Sequence, residues 1–209
     1  FGGFAQLPTD GSPYLLFAFA GTIVWNLVSN SINRAGNSLV GDANLIAKVY
    51  FPRMIIPTAA IAAVVVDFLI GLVVMGALLV LYQQPITLAL LTLPLFIVLA
   101  LVLALGLSLL ISALNVYYRD FTYILPFMLQ VWMYASPVAY SASIVPEALQ
   151  PVYALNPMVG IILGFRWALL GEIAFPALPL LISTAASVAL LIIGALVFQR
   201  VQQSFADVI

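Results

Sequence analysis

From Met54 to Tyr118 the chain carries one charged side chain, Asp67. A run of that length is enough for two helical crossings of a hydrocarbon layer about 30 Å thick, at about 1.5 Å per residue. Folded in water, it would leave most of its apolar surface without cover. The rest of the chain agrees: it is 65% hydrophobic and 6% charged, where a soluble domain carries about 25% charged residues. Uninterrupted apolar stretches of 18 or more residues mark helices rather than the alternating strands of a barrel. The expected fold is therefore all-α and integral to the membrane.

Five segments are long enough to cross: Pro13–Ile32, Met54–Tyr82, Thr87–Leu114, Tyr123–Ser141 and Phe175–Phe198. Ile144–Leu170 is apolar but broken by Pro146, Pro151 and Pro157, and it carries Glu147 and Arg166. Proline removes a backbone donor and pushes the preceding residue out of the helical region. A re-entrant helical hairpin is expected there, because broken backbone at membrane depth survives only against protein or water. With five spans and one hairpin, Arg34, Lys48, Arg53, Arg119 and Arg200 fall on one side and Arg166 on the other. The positive-inside rule then places the C-terminus in the cytoplasm. A rival topology counts Tyr153–Leu170 as a full span, which moves Arg200 outside and buries Arg166 in the bilayer. The chain opens at Phe1 with no initiator methionine, so it is expected to lack an N-terminal part. No internal repeat or linker divides residues 1–209, and a single bundle is expected.

Between the first two spans lies a polar island, residues 37–53, in or just before which half of the six basic residues fall. A compact, partly basic cytoplasmic segment suits docking by a soluble partner that supplies energy. Asn26, Asn30, Asn33 and Asn37 are spaced 4, 3 and 4 apart, which places their amides on one helical face. An amide facing lipid would stay unsatisfied at a cost of a few kcal/mol. The stripe therefore faces protein or water, either as the wall of a path or as interhelical glue. Asp67, near the centre of its span, is expected to face the bundle interior for the same reason. It serves a structural hydrogen bond or a proton relay. Trp132 and Tyr134 lie inside the fourth span rather than at its interface, and offer either core packing or flat faces for sugar rings. Tyr117, Tyr118 and Tyr123 beside Arg119 and Asp120 suit interfacial anchors.

Cysteine and histidine are absent, which removes disulfides, thiol nucleophiles, imidazole bases and the usual zinc ligands. No G-x-x-x-x-G-K-[ST] phosphate loop is present. With a net charge of −1 and no basic patch, nucleic acid is not an expected partner.

Four strings occur in order: Asn44-Leu-Ile-Ala-Lys-Val-Tyr-Phe-Pro-Arg53, Ala113-Leu-Asn-Val-Tyr-Tyr-Arg-Asp120, Ala135-Ser-Pro-Val-Ala-Tyr140, and Tyr153-Ala-Leu-Asn-Pro-Met-Val-Gly160 with Gly164-Phe-Arg-Trp-Ala168. Together they resemble the membrane subunit of bacterial ABC-type polysaccharide exporters, the permeases for O-antigen, teichoic acid and capsular glycans. The resemblance implies six spans in the full-length parent, preceded by an amphipathic helix on the cytoplasmic surface. It implies a multi-pass protein of the bacterial inner membrane that forms a homodimer. Two ATP-binding cassette subunits would pair with it and hold ATP and Mg, with no cofactor bound by this chain. Asn44, Leu45, Lys48, Val49, Tyr50, Pro52 and Arg53 would couple to the ATPase. Residues 144–171, with Asn156, Pro157 and Arg166, would form an external re-entrant hairpin. The substrate would be a glycan on a polyprenyl diphosphate, and Trp25, Asn26, Asn30, Asn33, Trp132 and Tyr134 would line its path. Rival readings are an ABC exporter of a drug or small lipid, an ion-coupled secondary transporter using Asp67, and a membrane-embedded glycosyltransferase.

Overall fold

The computed structural model describes residues 13–42, 51–171, 174–202 and 205. Among them the secondary structure is entirely helical. Helix α1 spans Tyr14–Gly41 and α2 spans Ile55–Leu81. A 3-10 turn at Leu88–Thr92 leads into α3, Leu93–Tyr117, with Pro94 in the first turn, where its missing N–H removes no helical bond. Then come α4, Phe121–Tyr134, the short α5, Gln150–Ala154, α6, Pro157–Leu170, and α7, Ala177–Val201.

Four helical runs among the described residues are long and apolar enough to cross a membrane: α1, α2, Leu88–Tyr117 and α7. They match four of the five expected spans, with α1 running past Ile32 to Gly41. The fifth, expected over Tyr123–Ser141, is helical only over the 14 residues of α4, a rise of about 21 Å. Two causes end it early. Pro137 withholds a backbone donor and restricts Ser136, and the carbonyls of Val138 and Tyr140 are drawn to the Arg166 guanidinium. The proline-broken stretch after it is a chain of short pieces, with 3-10 turns at Ala142–Ile144 and Glu147–Leu149, then α5 and α6.

Helix α1 is the hub, packed against α2, α3, α4 and α6, while α7 closes on α3 and α6. Two thirds of the most apolar window of α1 is buried, against 22% for α2. The main core gathers Leu16, Val24, Phe68, Leu103, Ile162 and Phe165. A second core, with Leu39, Ile56, Val116, Phe198 and Phe205, closes one end of the bundle. The end of α1, the start of α2 and the ends of α3 and α7 meet there, so Arg53, Arg119 and Arg200 share that end. At the other end Gln84 Nε2 donates to the Leu170 carbonyl at 3.2 Å, so α6 finishes beside the α2–α3 turn.

Helices α3 and α7 touch backbone to backbone. A Cβ on Gly106 would lie 2.6 Å from the Leu191 nitrogen, and one on Gly194 would overlap the Gly106 carbonyl. Small residues permit this approach. It supplies the dispersion contacts that hold helices together in lipid, where the surrounding tails are as apolar as the side chains.

Candidate functional site

The four asparagines of α1 stay on one unbroken helix, as their spacing requires, but they serve two different places. Toward the C-terminal end, Asn37 Nδ2 donates to the Asn33 carbonyl and to Asn33 Oδ1, each at 3.0 Å. Asn37 Oδ1 accepts from Nδ2 of Asn115, a fully buried residue of α3, at 3.0 Å. The Asn115 amide also donates to the Gly36 carbonyl at 3.1 Å, and its oxygen accepts from Thr122 Oγ1 at 3.0 Å. This network ties α1, α3 and α4 together, and each bond contributes about 0.5–1.5 kcal/mol net. Asn37 thus joins α1 to α3, with Asn33 bonded to it along the same helix. Asn115 and Thr122 carry no local sequence signal of this role, since their partners on α1 lie far away in the chain.

Asn26 and Asn30 are exposed instead. With Thr22 and Asp67 they line a groove of about 190 Å³ between α1 and α2, floored by Phe19, Ile23 and Phe68. Arg34 stands one turn beyond Asn30, and its Nη2 lies 3.2 Å from Asp67 Oδ2, with both side chains more than half exposed. Thr22, Asn26, Asn30 and Arg34 follow one another at steps of four, so they form one polar ridge along α1. Asp67 therefore lies on the wall of an open groove and not in the bundle interior, where its position in the span had placed it. It finds its partner in a cation on the neighbouring helix, which removes the need for burial. Sequence reasoning missed Thr22 and Arg34 as wall residues, although the step of four extends through both.

The aromatic trio divides as well. Trp25 is 4% exposed and meets Trp132 edge to face, with centroids 5.4 Å apart and planes at 79°. Tyr134 is 67% exposed. Trp25, Trp132 and Tyr134 therefore do not form one continuous surface in this chain. Trp132 Nε1 instead donates to Asn156 Oδ1 at 2.9 Å. Asn156 caps α6 by accepting from the Met158 nitrogen at 3.0 Å, and its Nδ2 donates to the Ala135 carbonyl and Ser136 Oγ. Pro157 occupies the first position of α6, where its fixed φ suits a helix start. Asn156 and Pro157 thus fasten the broken segment to the end of α4. Beside them a cavity of about 640 Å³ opens among Leu107, Trp132, Leu149, Tyr153 and Leu190.

Arg166 holds the same segment from the other side. It is fully buried. Nε donates to the Phe17 carbonyl at 3.1 Å and Nη2 to the Val138 carbonyl at 2.7 Å, with Nη1 reaching the Tyr140 carbonyl at 3.5 Å. The guanidinium carbon sits 3.5 Å from the centroid of the Phe17 ring. A buried charge is sustained by such hydrogen bonds and by the ring face.

Of the expected coupling residues, Asn44, Leu45, Lys48, Val49 and Tyr50 lie outside the described residues. Pro52 is exposed, and the Arg53 guanidinium lies 5.9 Å from the centre of the Phe205 ring, which itself packs on Phe198. The segment that leads from the island into α2 is therefore in contact with the segment that follows α7.

With four helical runs long and apolar enough to cross a membrane among the described residues, the chain is a multi-pass membrane protein. Residues 2–170 match the family model of the ABC-2 type transporter, and the chain belongs to that family. It is 30% identical over 194 residues to the O-antigen export system permease protein RfbA of Myxococcus xanthus, covering 91% of this chain and 74% of that one. It is also 25% identical over 198 residues to the protein of the same name from Klebsiella pneumoniae, covering 94% and 76%.

Proposed function

We propose that this chain is the permease half of an ATP-driven exporter that carries a lipid-linked polysaccharide across the bacterial inner membrane. The relatives' names support the substrate class, and family membership supports an ATP-binding cassette partner. The observation that carries the reading is the ridge of half-buried Thr22 and exposed Asn26, Asn30 and Arg34, with Asp67 beside it on α2. Polar side chains and an ion pair facing lipid would be strongly disfavoured. The groove therefore faces water, a second copy of the chain or the further span expected ahead of α1, and as the wall of a channel between two copies it meets the first two. A polymer sliding through needs a wall of weak, repeated hydrogen-bonding groups rather than a tight pocket, and amides at steps of four supply it.

In this reading Asn44–Arg53 is the element on which the ATPase pushes, with ATP and Mg held by that partner. The end of the bundle bearing Arg53, Arg119 and Arg200 faces the cytoplasm, as the positive-inside rule favours. Residues 144–171 form the external hairpin, which Arg166 and Asn156 hold against α1 and α4. ATP binding then rocks two half-transporters about this path, a rigid-body alternation.

The test replaces Asn26 and Asn30 with leucine, singly and together, in the full-length permease co-expressed with its ATP-binding partner. Glycan appearing outside the membrane should fall at least about ten-fold in the double variant, while assembly with the partner persists, since neither amide makes a hydrogen bond among the described residues. Unchanged export would remove the groove from the path.

A further inference from the structure

Resting on the reading of Asn44–Arg53 as the element that the ATPase moves, we propose that Phe205 is the joint through which this motion reaches α7, and that α7 carries it across the bundle to the proline-broken segment. Arg53 is half-buried, and its guanidinium stands 5.9 Å from the centre of the Phe205 ring. Phe205 is fully buried and meets Phe198, in the last turn of α7, edge to face, with centroids 5.5 Å apart and planes at 83°. Phe51 and Met54 pack on the same core as these two rings. The exit of the island is therefore seated on the end of α7 by a cation over a ring and by apolar contact around it. That seat has little slack. The Ile55 nitrogen donates to the Pro52 carbonyl at 3.0 Å, the Ile56 nitrogen to the Arg53 carbonyl at 3.3 Å, and Thr58 Oγ1 to the Met54 carbonyl at 2.9 Å. Pro52 also has a fixed φ. A displacement of Arg53 passes to the groups it touches and is not absorbed in loose backbone.

Helix α7 is built to pass such a displacement on. Its 25 residues rise about 38 Å, enough to cross a hydrocarbon layer of about 30 Å, and its one proline, Pro179, sits in the first turn where it does not kink the helix. The close approach of Gly106 and Gly194 fixes it to α3. Toward its start it caps α6. The fully buried Ser183 Oγ accepts from the Gly160 nitrogen at 3.1 Å. Gly160 lies in the first turn of α6, where backbone donors have no partner within their own helix. A Cβ on Gly160 would overlap the Pro179 carbonyl, so the two helices touch there without a side chain between them. Helix α6 in turn bears Arg166, which holds the Val138 carbonyl. Elements packed this closely shift together rather than deform. Arg53, Phe205, Phe198, Ser183, Gly160 and Arg166 thus mark one continuous route from the ATPase side of the bundle to the hairpin. Helices α1 and α2 flank the island in sequence, whereas α7 meets it through this seat.

The experiment uses the full-length permease with its ATP-binding partner in lipid nanodiscs, any cysteine outside residues 1–209 being replaced. Single cysteines are placed by Gln202→Cys, at the end of α7, and by Leu155→Cys, an exposed position of the proline-broken segment. Their rates of reaction with a small maleimide are read without nucleotide and with ATP trapped by vanadate. Both rates should change about five-fold with nucleotide, and Phe205→Leu should lose most of the response at both positions and lower the glycan exported per ATP hydrolysed by a similar factor. Arg53→Lys keeps a cation over the ring and should retain part of the response, while Arg53→Gln should lose it as Phe205→Leu does, without further loss in the double variant. A ring that only packs the end of the bundle predicts instead a lower unfolding temperature with the nucleotide response intact, and that result would overturn the proposal. If Phe205→Leu fails to assemble with its partner, Arg53→Gln decides, and an unchanged response there overturns the joint. A response at Leu155→Cys that survives Phe205→Leu would overturn the passage along α7. Wild-type export, measured alongside, separates the two readings: ATP-driven glycan export with no nucleotide response at Gln202→Cys sinks this inference alone, and absence of ATP-driven glycan export sinks the function on which it rests.

Discussion

Replacing Arg166 by methionine is expected to lower the unfolding free energy by about 3–5 kcal/mol. The two best-formed bonds of the side chain run to the Phe17 and Val138 carbonyls, both in buried surroundings. Methionine fills part of the volume but leaves those acceptors without the charged donor, and bonds to charged groups contribute about 1.5–3 kcal/mol each. The Phe17 ring face loses its cation at the same time. The damage should be local in its first stage: the turn at residues 135–141 should detach from α1, and protease cleavage there should precede loss of the helical bundle. Gly21→Ala should act in the same direction, because a Cβ at that position would stand 2.6 Å from Arg166 Nη2 and overlap the Val138 carbonyl. Thermal unfolding of the purified complex with limited proteolysis checks both. A stable Arg166→Met protein with an intact turn would show that the hairpin is held by something else.

The second large effect belongs to the contact between α3 and α7. Gly194→Ala should destabilise by about 1–3 kcal/mol, since its new methyl group meets the Gly106 carbonyl rather than a side chain that could rotate away. Gly76→Ala provides the contrast. A Cβ there meets nothing within 4 Å, so relief of glycine's backbone entropy should leave stability unchanged or raise it by about 0.5–1 kcal/mol. The pair of thermal shifts should therefore have opposite signs or at least differ by more than one such increment. Equal shifts would mean that the two helices do not approach at Gly106.

The long elements are legible in the sequence because membrane helices declare themselves by length. Met54–Tyr82 and Thr87–Leu114 lie within a few residues of the bounds of α2 and of the Leu88–Tyr117 run. Local chemistry is equally readable around α6, where Asn156-Pro157 opens the helix and Gly171, at φ +69°, closes it in the left-handed conformation glycine favours. The shortening of α4 is hidden, because Tyr123–Ser141 is apolar enough to cross and what stops it includes a buried arginine 28 residues beyond Val138. Arg166 itself reads as an external charge, since hydropathy reports how polar a side chain is and not that backbone carbonyls of Phe17, Val138 and Tyr140 converge on it. The asparagine ridge is visible as a periodicity. Its division into a groove and a glued interior is not, because it depends on Asn115 and on the crossing of α3, and spacing along α1 says nothing of either.

If the α1–α2 groove faces an aqueous path, thiol labelling of single cysteines will show it most directly. Residues 1–209 hold no cysteine, and the labelling is done in membranes holding the full-length permease, with any cysteine outside them replaced, and its ATP-binding partner. Asn30→Cys should react with a small membrane-impermeant reagent, and a trapped glycan substrate should protect it. Ile192→Cys, on the apolar face of α7 where the side chain is 53% exposed, should stay unreactive as a lipid-facing position does. Labelling of Ile192→Cys but not Asn30→Cys, or of neither, would contradict an aqueous path along α1.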